Sequence, residues 1–248
     1  MYRFGEAMRR AQEAAFGPAE YVEQQSFVSA SEIRALAGQA GIGEGVSVLD
    51  LCCGIAGPGR FLTRELGCNY LGVDASASAV DLARERARGP RCRFLVAEIP
   101  PLPPGTFDVI LLLETMLAFR DKEALLAEVG RALPAGGRFA FTVEEGAPLT
   151  ETERTQMPAA ETVRLIPLDE LHELLARAGL VVQWQEEWSE SHRAAAESLA
   201  AEYAAEGFDE LVTSHQLWSE WLATGRVRKF ALVAELPVSR SPSRPEAA

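Results

Sequence analysis

The sequence is short of cations, and of lysine above all. Its 24 Lys and Arg stand against 36 Asp and Glu, a formal net charge of −12, and Lys122 and Lys229 are its only lysines. No basic stripe forms, so a nucleic-acid backbone is not an expected partner. Histidine is also scarce, with three. The four cysteines, Cys52, Cys53, Cys68 and Cys92, have no histidine pattern to match them. They read as buried free thiols, and no zinc or other metal site is expected. No apolar run approaches the roughly 20 residues of a membrane span. The opening residues, Met1 to Glu6, lack the apolar core of a signal peptide. The expectation is a cytoplasmic protein, monomer or homodimer, with no membrane partner.

What is present is apolar bulk and glycine punctuation. Hydrophobic residues make up 48% of the 248 positions, enough for one large α/β domain with appendages. The chain is organised around residues 46–59. Residues 46–51 are a short apolar run with Asp50 near its end, which reads as a buried parallel strand. Gly54, Gly57 and Gly59 follow, then a helical pattern with Phe61, Leu62 and Leu66 on one side. Strand, glycine turn and helix make the first half of a nucleotide-binding crossover. Glycines let backbone approach a ligand, the helix N-terminus offers free N–H groups to an anion, and Pro58 suits the first turn. The spacing Gly54-x-x-Gly57-x-Gly59 is not the dinucleotide fingerprint, and no Lys-Ser or Lys-Thr completes a Walker loop.

Elsewhere strand and helix alternate. An amphipathic helix is expected over 2–15, with Phe4, Ala7, Met8 and Ala11 on one face. Another is expected over 32–40, capped by Ser29 or Ser31, and Ser76 is placed to cap a helix over 77–87. Further helices are expected over 121–133, 168–178, 191–206 and 208–224. Strands are expected at 69–73, 91–96, 107–113, 138–143, 180–188 and 227–236. Residues 144–165 are polar, contain Pro148 and Pro158, and read as a long lid-like loop. This beat argues for a doubly wound, mostly parallel sheet. The division expected is an N-terminal helical cap at 1–45 and a domain at 46–236. Cap insertions fall at 144–166 and 190–224, and a Pro/Ser-rich disordered tail at 237–248.

With Asp50 ahead of it, the glycine turn resembles motif I of the class I S-adenosylmethionine-dependent methyltransferases. Cys52 and Ala56 stand where that family usually has glycine. Leu71-Gly-Val-Asp74-Ala75 resembles the segment whose acidic residue holds the ribose hydroxyls, and Phe94-Leu-Val-Ala-Glu98-Ile99 the adenine-reading segment. The run from Phe107 to Glu114 resembles the strand that meets the methionine moiety. The resemblance covers 46–236 and implies a Rossmann-like, seven-stranded, mostly parallel sheet with a helical cap, its last strand antiparallel between the fifth and sixth. S-adenosyl-L-methionine is the implied cofactor, with Tyr21, Gln25, Asp50, Cys52, Gly54, Asp74, Ala75, Glu98, Ile99, Leu113 and Glu114 as its contacts. The implied function is methyl transfer to an N, O or C atom of a small molecule, in metabolite biosynthesis. The alternatives are a non-methylating enzyme of the same fold, catalysing cyclisation or elimination, and a non-catalytic interaction subunit.

The entry segment Glu23-Gln-Gln-Ser-Phe27 is similar to that of small-molecule methyltransferases, including those of phospho-bases and isoprenoid diphosphates. The phospho-base enzymes pair a Tyr there, for which Tyr21 is available, with a His after strand four; residues 114–120 contain none. Tyr21, Glu114 and His192 are the candidate catalytic residues, with Glu145 and His215 as further candidate bases; Glu144 and Glu145 leave the fifth strand toward the lid. Aromatics of the cap, among them Phe27, Tyr203, Phe208, Trp218 and Trp221, either line an apolar chamber or pack the helices together.

Overall fold

The computed structural model describes residues 5–238. Seven strands form one sheet: β1 (Ser47–Leu51), β2 (Asn69–Asp74), β3 (Cys92–Val96), β4 (Val109–Leu112), β5 (Arg138–Glu145), β6 (Val181–Glu187) and β7 (Arg228–Glu235). Their order is β3-β2-β1-β4-β5-β7-β6. The first five strands are parallel, and β7 runs antiparallel between β5 and β6. Strand order reverses between β1 and β4, which opens a crevice at their carboxyl ends.

Helices cover both faces. Those before and between the strands of the first half are α1 (Glu6–Phe16), α2 (Ala30–Gln39), α3 (Gly57–Leu66), α4 (Ala77–Arg86) and α5 (Lys122–Ala132). Those of the second half are α6 (Glu151–Gln156), α7 (Leu168–Arg177), α8 (Ser189–Ala205) and α9 (Asp209–Thr224). Strand periodicity divides the core. Leu49, Leu51, Ile110, Leu112, Phe139 and Phe141 pack on Leu125 and Val129 of α5 and Leu171 and Leu175 of α7. Val48, Val109, Leu111 and Ala140 face Ile33 and Leu36 of α2 and Phe61 and Leu62 of α3. Each Leu or Phe so buried contributes about 1.5–3 kcal/mol. All four residues of β4 are buried, which explains its uninterrupted apolar run.

The cap is the antiparallel pair α8–α9, turned at Gly207, with α1 packed on α8. The helix α2 instead lies against the sheet, on α3 and β7, with Ser29 and Glu32 forming its capping box. The expected loop at 144–165 is partly ordered structure. Strand β5 continues through Glu145 because Glu144 and Glu145 face Lys229 and Arg228 across the antiparallel ladder. The helix α6 then forms on a Thr150–Glu153 capping box. The start of the helix expected over 2–15, with Phe4, and the tail beyond Val238 lie outside the described residues. No helix among the described residues is long and apolar enough to cross a membrane.

Candidate active site

The turn after β1 is strained where the sequence departs from glycine. Cys52 and Ala56 adopt φ of 58° and 56°, close to the 54° of Gly54. Left-handed backbone costs a residue with a Cβ roughly 1–2 kcal/mol and persists where surrounding structure enforces it. Gly57 has a different reason. A Cβ there would fall 2.3 Å from the Val22 carbonyl oxygen and 2.4 Å from that of Glu23, because the N-terminal segment lies on the start of α3. At Gly59 a Cβ would meet the Tyr70 ring at 2.1 Å. That ring delivers the Tyr70 hydroxyl to Asp50, to which it donates at 2.6 Å. Asp50 is buried, and desolvation pushes its carboxyl up to about 7.

Asp74 ends β2 half-buried and ties two turns together. Its Oδ2 accepts from the Gly54 N–H at 2.8 Å and its Oδ1 from the Ser76 N–H at 2.8 Å. A carboxylate has about four acceptor positions, so roughly two remain. These groups border a cleft of about 260 Å³ lined by Gln25, Asp50, Cys52, Gly54, Asp74, Leu113 and Glu114. Through Cys52, Asp74 and Thr115 it joins a groove of about 470 Å³ that adds Ala75, Glu98 and Ile99. The residues expected to contact a cofactor thus converge on one crevice, Tyr21 excepted. Tyr21 is not among the lining residues; its hydroxyl is 3.5 Å from Gln12 Oε1, and burial pushes it up to about 12.

Beyond Gln25, Ser26 and Glu114 the cleft meets a second cavity, a chamber of about 370 Å³ under the cap. Phe27, Tyr203, His215 and Trp218 line it, with Met157 and Val163 from the segment after β5. Phe208 packs on Tyr203, and Trp221 belongs to a core cluster; neither lines the chamber. Its two charged lining residues are Glu114 and Glu144. Lys229 bridges them, with Nζ 2.5 Å from Glu114 Oε1 and 2.5 Å from Glu144 Oε1. Thr142 adds a hydroxyl donated to Glu114 Oε1 at 2.8 Å and accepts the Glu114 N–H at 2.7 Å. Glu114 itself has φ of 61°, the backbone bend that turns the end of β4 into the cluster. Burial acts to raise the Glu114 carboxyl, but the Lys229 charge and the hydrogen bonds from Lys229 and Thr142 outweigh it and lower the carboxyl, whereas burial dominates at Glu144 and raises it.

His192 is buried behind this cluster and does not line the chamber. Its ring nitrogens lie 3.8 Å from Glu32 and 3.8 Å from Glu114, without hydrogen bonds among the described residues. Desolvation lowers it to about 4, so it stays neutral at ordinary pH. His215 does line the chamber, with Nδ1 2.7 Å from the Leu211 carbonyl oxygen, and burial lowers it as well. Glu145 points elsewhere and pairs with Arg228 at 2.9 Å. Sequence reasoning missed Lys229, Thr142 and Tyr70. The available signal for Lys229 was a lysine within the apolar run Val227 to Leu236 of a chain with so few. Among the described residues, no group of three or more His, Cys, Asp or Glu side chains converges as a metal site.

Residues 48–137 match the family model described as a methyltransferase domain. Methyltransferase GfsG of Streptomyces halstedii is 32% identical over 106 residues, 40% of this chain and 38% of that protein. Phosphoethanolamine N-methyltransferase 3 of Arabidopsis thaliana is 34% identical over 102 residues, 40% of this chain and 21% of that protein. These matches therefore span well under half of the relatives' own lengths. Among solved structures, phosphoethanolamine N-methyltransferase 2 of Haemonchus contortus, in complex with phosphomonomethylethanolamine and S-adenosylhomocysteine, superposes with a TM-score of 0.79. It is 21% identical, and the match covers 92% of this chain and 57% of that one. A geranyl diphosphate methyltransferase, in complex with GPP and sinefungin, superposes with a TM-score of 0.71 at 22% identity, covering 84% of this chain and 79% of the other. These likenesses show the class I methyltransferase fold.

Proposed function

We propose that this chain, which carries a methyltransferase domain at residues 48–137, is an S-adenosylmethionine-dependent methyltransferase acting on a small molecule held under its cap. The observation that supports the reading best is that the two cavities adjoin across shared lining residues. Cleft and chamber meet at Gln25, Ser26 and Glu114, so a ligand filling the first presents one end to an occupant of the second.

The donor set suits the cofactor. Asp74 has acceptor positions left for two adjacent ribose hydroxyls, a charge-assisted bidentate contact. Glu98 and Ile99 border the groove, where a carboxylate and a neighbouring N–H read an adenine edge. Asp50, Cys52, Gly54 and Leu113 line the cleft between groove and chamber and are the residues that would hold the amino-acid end. The bound sulfonium supplies an activated methyl group. The protein's work is then alignment of the acceptor and exclusion of water, which the cap helices and the segment after β5 perform. Glu114, at the junction, orients whichever groups meet there, and Lys229 and Thr142 fix its rotamer.

Calorimetric titration of the full chain with S-adenosylmethionine, beside transfer of a labelled methyl group to a panel of small acceptors, tests the reading. Saturable binding of one cofactor per chain and product formation are expected. A folded protein with no affinity for S-adenosylmethionine or S-adenosylhomocysteine would refute it.

A further inference from the structure

The chamber has a charge sign. Among the described residues no lysine or arginine lines it, and its charged lining side chains are Glu114 and Glu144. The cation that reaches them, Lys229, is itself buried at 1% exposure and is shared between both carboxylates. Within the cluster one positive charge stands against two negative ones when both are ionised; Lys122, whose charge also acts on Glu144, donates its Nζ to the Phe119 and Arg164 carbonyls instead. Glu144 lines the cavity at 7% exposure, and its Oε2 has no hydrogen-bond partner among the described residues. A buried carboxylate oxygen without a partner carries a desolvation cost that a donor reaching it from the chamber would relieve.

The rest of the lining completes the recognition chemistry. Phe27, Tyr203 and Trp218 offer ring surfaces, which attract cations and bury apolar groups. His215 stands among them uncharged, its Nδ1 directed at the Leu211 carbonyl. Burial raises the Glu144 carboxyl in opposition to Lys229, and a positive charge entering the chamber favours its ionised form. A phosphate or carboxylate would instead be desolvated beside two carboxylates with no free counter-charge.

We infer that the acceptor taken by this chamber is an amine on an apolar body, bound as its ammonium through Glu144, and that phosphorylated and carboxylated acceptors are excluded. The inference rests on the chamber being the acceptor site of the proposed methyltransferase. It separates this chain from relatives whose names carry phosphoethanolamine or geranyl diphosphate.

Three probes of one shape and different charge test it: 2-phenylethylamine, 2-phenylethanol and 2-phenylethyl phosphate. Each is titrated calorimetrically into the full chain at neutral pH, with and without saturating S-adenosylhomocysteine. The amine is expected to bind about tenfold or more tighter than the alcohol, and the phosphate ester not measurably. Glu144→Gln is expected to bring the amine to the level of the alcohol and leave the alcohol unchanged. An amine that fails to bind, an amine no tighter than the alcohol, or a phosphate ester as tight as the amine overturns the inference. The wild-type ranking needs no variant, so it decides even where Glu144→Gln folds poorly. S-adenosylhomocysteine binding with the ranking lost refutes the charge selection alone. The ranking kept without affinity for S-adenosylhomocysteine refutes the methyltransferase reading instead.

Discussion

Replacing Asp74 by alanine tests the cofactor assignment at its most specific point. The carboxylate already accepts from the Gly54 and Ser76 N–H groups, at 2.8 Å each. If its remaining positions receive both ribose hydroxyls, Asp74→Ala removes two charge-assisted bonds, about 2–4 kcal/mol together. Cofactor affinity then falls about 30- to 1,000-fold. The variant also frees two backbone N–H groups. Asp74 is half-buried, so water recovers part of that loss, and about 2 kcal/mol of stability is expected to go. For a chain of this size that is a drop in Tm of about 4–8 °C. Weaker binding alone could reflect a loosened turn, so the decisive comparison uses S-adenosylhomocysteine and its 2′-deoxy analogue. Wild type is expected to prefer the hydroxylated ligand, and Asp74→Ala to lose most of that preference, a coupling that a loosened turn does not produce. Calorimetry gives the four affinities and a thermal melt the stability. Undiminished preference for the 2′-hydroxyl in a folded Asp74→Ala protein would refute the ribose contact.

Three further outcomes are expected. His192 is held down to about 4, so between there and its ordinary value near 6.5 the unfolded chain binds a proton that the folded chain refuses. Its contribution to stability is present above that window and falls by roughly 3 kcal/mol as pH drops through it. Asp50, raised to about 7, acts with the opposite sign, stabilising at low pH and losing that contribution as pH rises. The difference in unfolding free energy between wild type and His192→Gln, measured with urea, isolates the histidine; it should grow from pH 4 to 6.5, and a constant difference contradicts the assignment. Gly57→Ala drives a Cβ into the backbone of Val22 and Glu23 and is expected to cost about 1–3 kcal/mol, whereas Gly38→Ala in α2 meets no atom within 4 Å and should be neutral or stabilising. Hydrogen exchange in residues 22–27 and 147–165 should slow when cofactor and acceptor bind, and unchanged exchange in both would remove their role as closing walls.

How far the sequence could be read depended on the range of the interactions involved. The strands β1 and β4 were legible because burial on both faces writes an unbroken apolar run, as in Val109 to Leu112. The place of Asp74 at the crevice was legible because it is a short polar residue ending an apolar strand. The helix α6 left a local trace, Thr150 three residues before Glu153, that the surrounding polarity and prolines obscured. The Glu114–Lys229–Glu144 cluster left almost none, since it depends on which residue of β7 stands opposite which of β5. A one-residue slip in that register would turn Lys229 to the other face. Tyr21 and His192 show the same limit of range from the other side. Both are chemically capable side chains whose surroundings are assembled from distant elements, Gln12 of α1 for one and Glu32 of α2 and Glu114 for the other.

The stretch from Glu23 to Phe27 belongs to both cavities at once. Glu23 lines the cleft and Phe27 the chamber, and Gln25 and Ser26 line both. The stretch is pinned at one end, where Glu23 pairs with Arg60 and Arg86 and the backbone rests on Gly57. One short strip of chain, with Gln25 and Ser26 in both walls, makes the two ligands thermodynamic neighbours without requiring that they touch. Whatever order one occupant imposes on this strip is order the other no longer has to impose, and linkage makes the effect equal in both directions. The factor by which cofactor tightens the acceptor is therefore the factor by which acceptor tightens the cofactor. Cutting Glu23 loose from its two arginines would diminish both by the same amount.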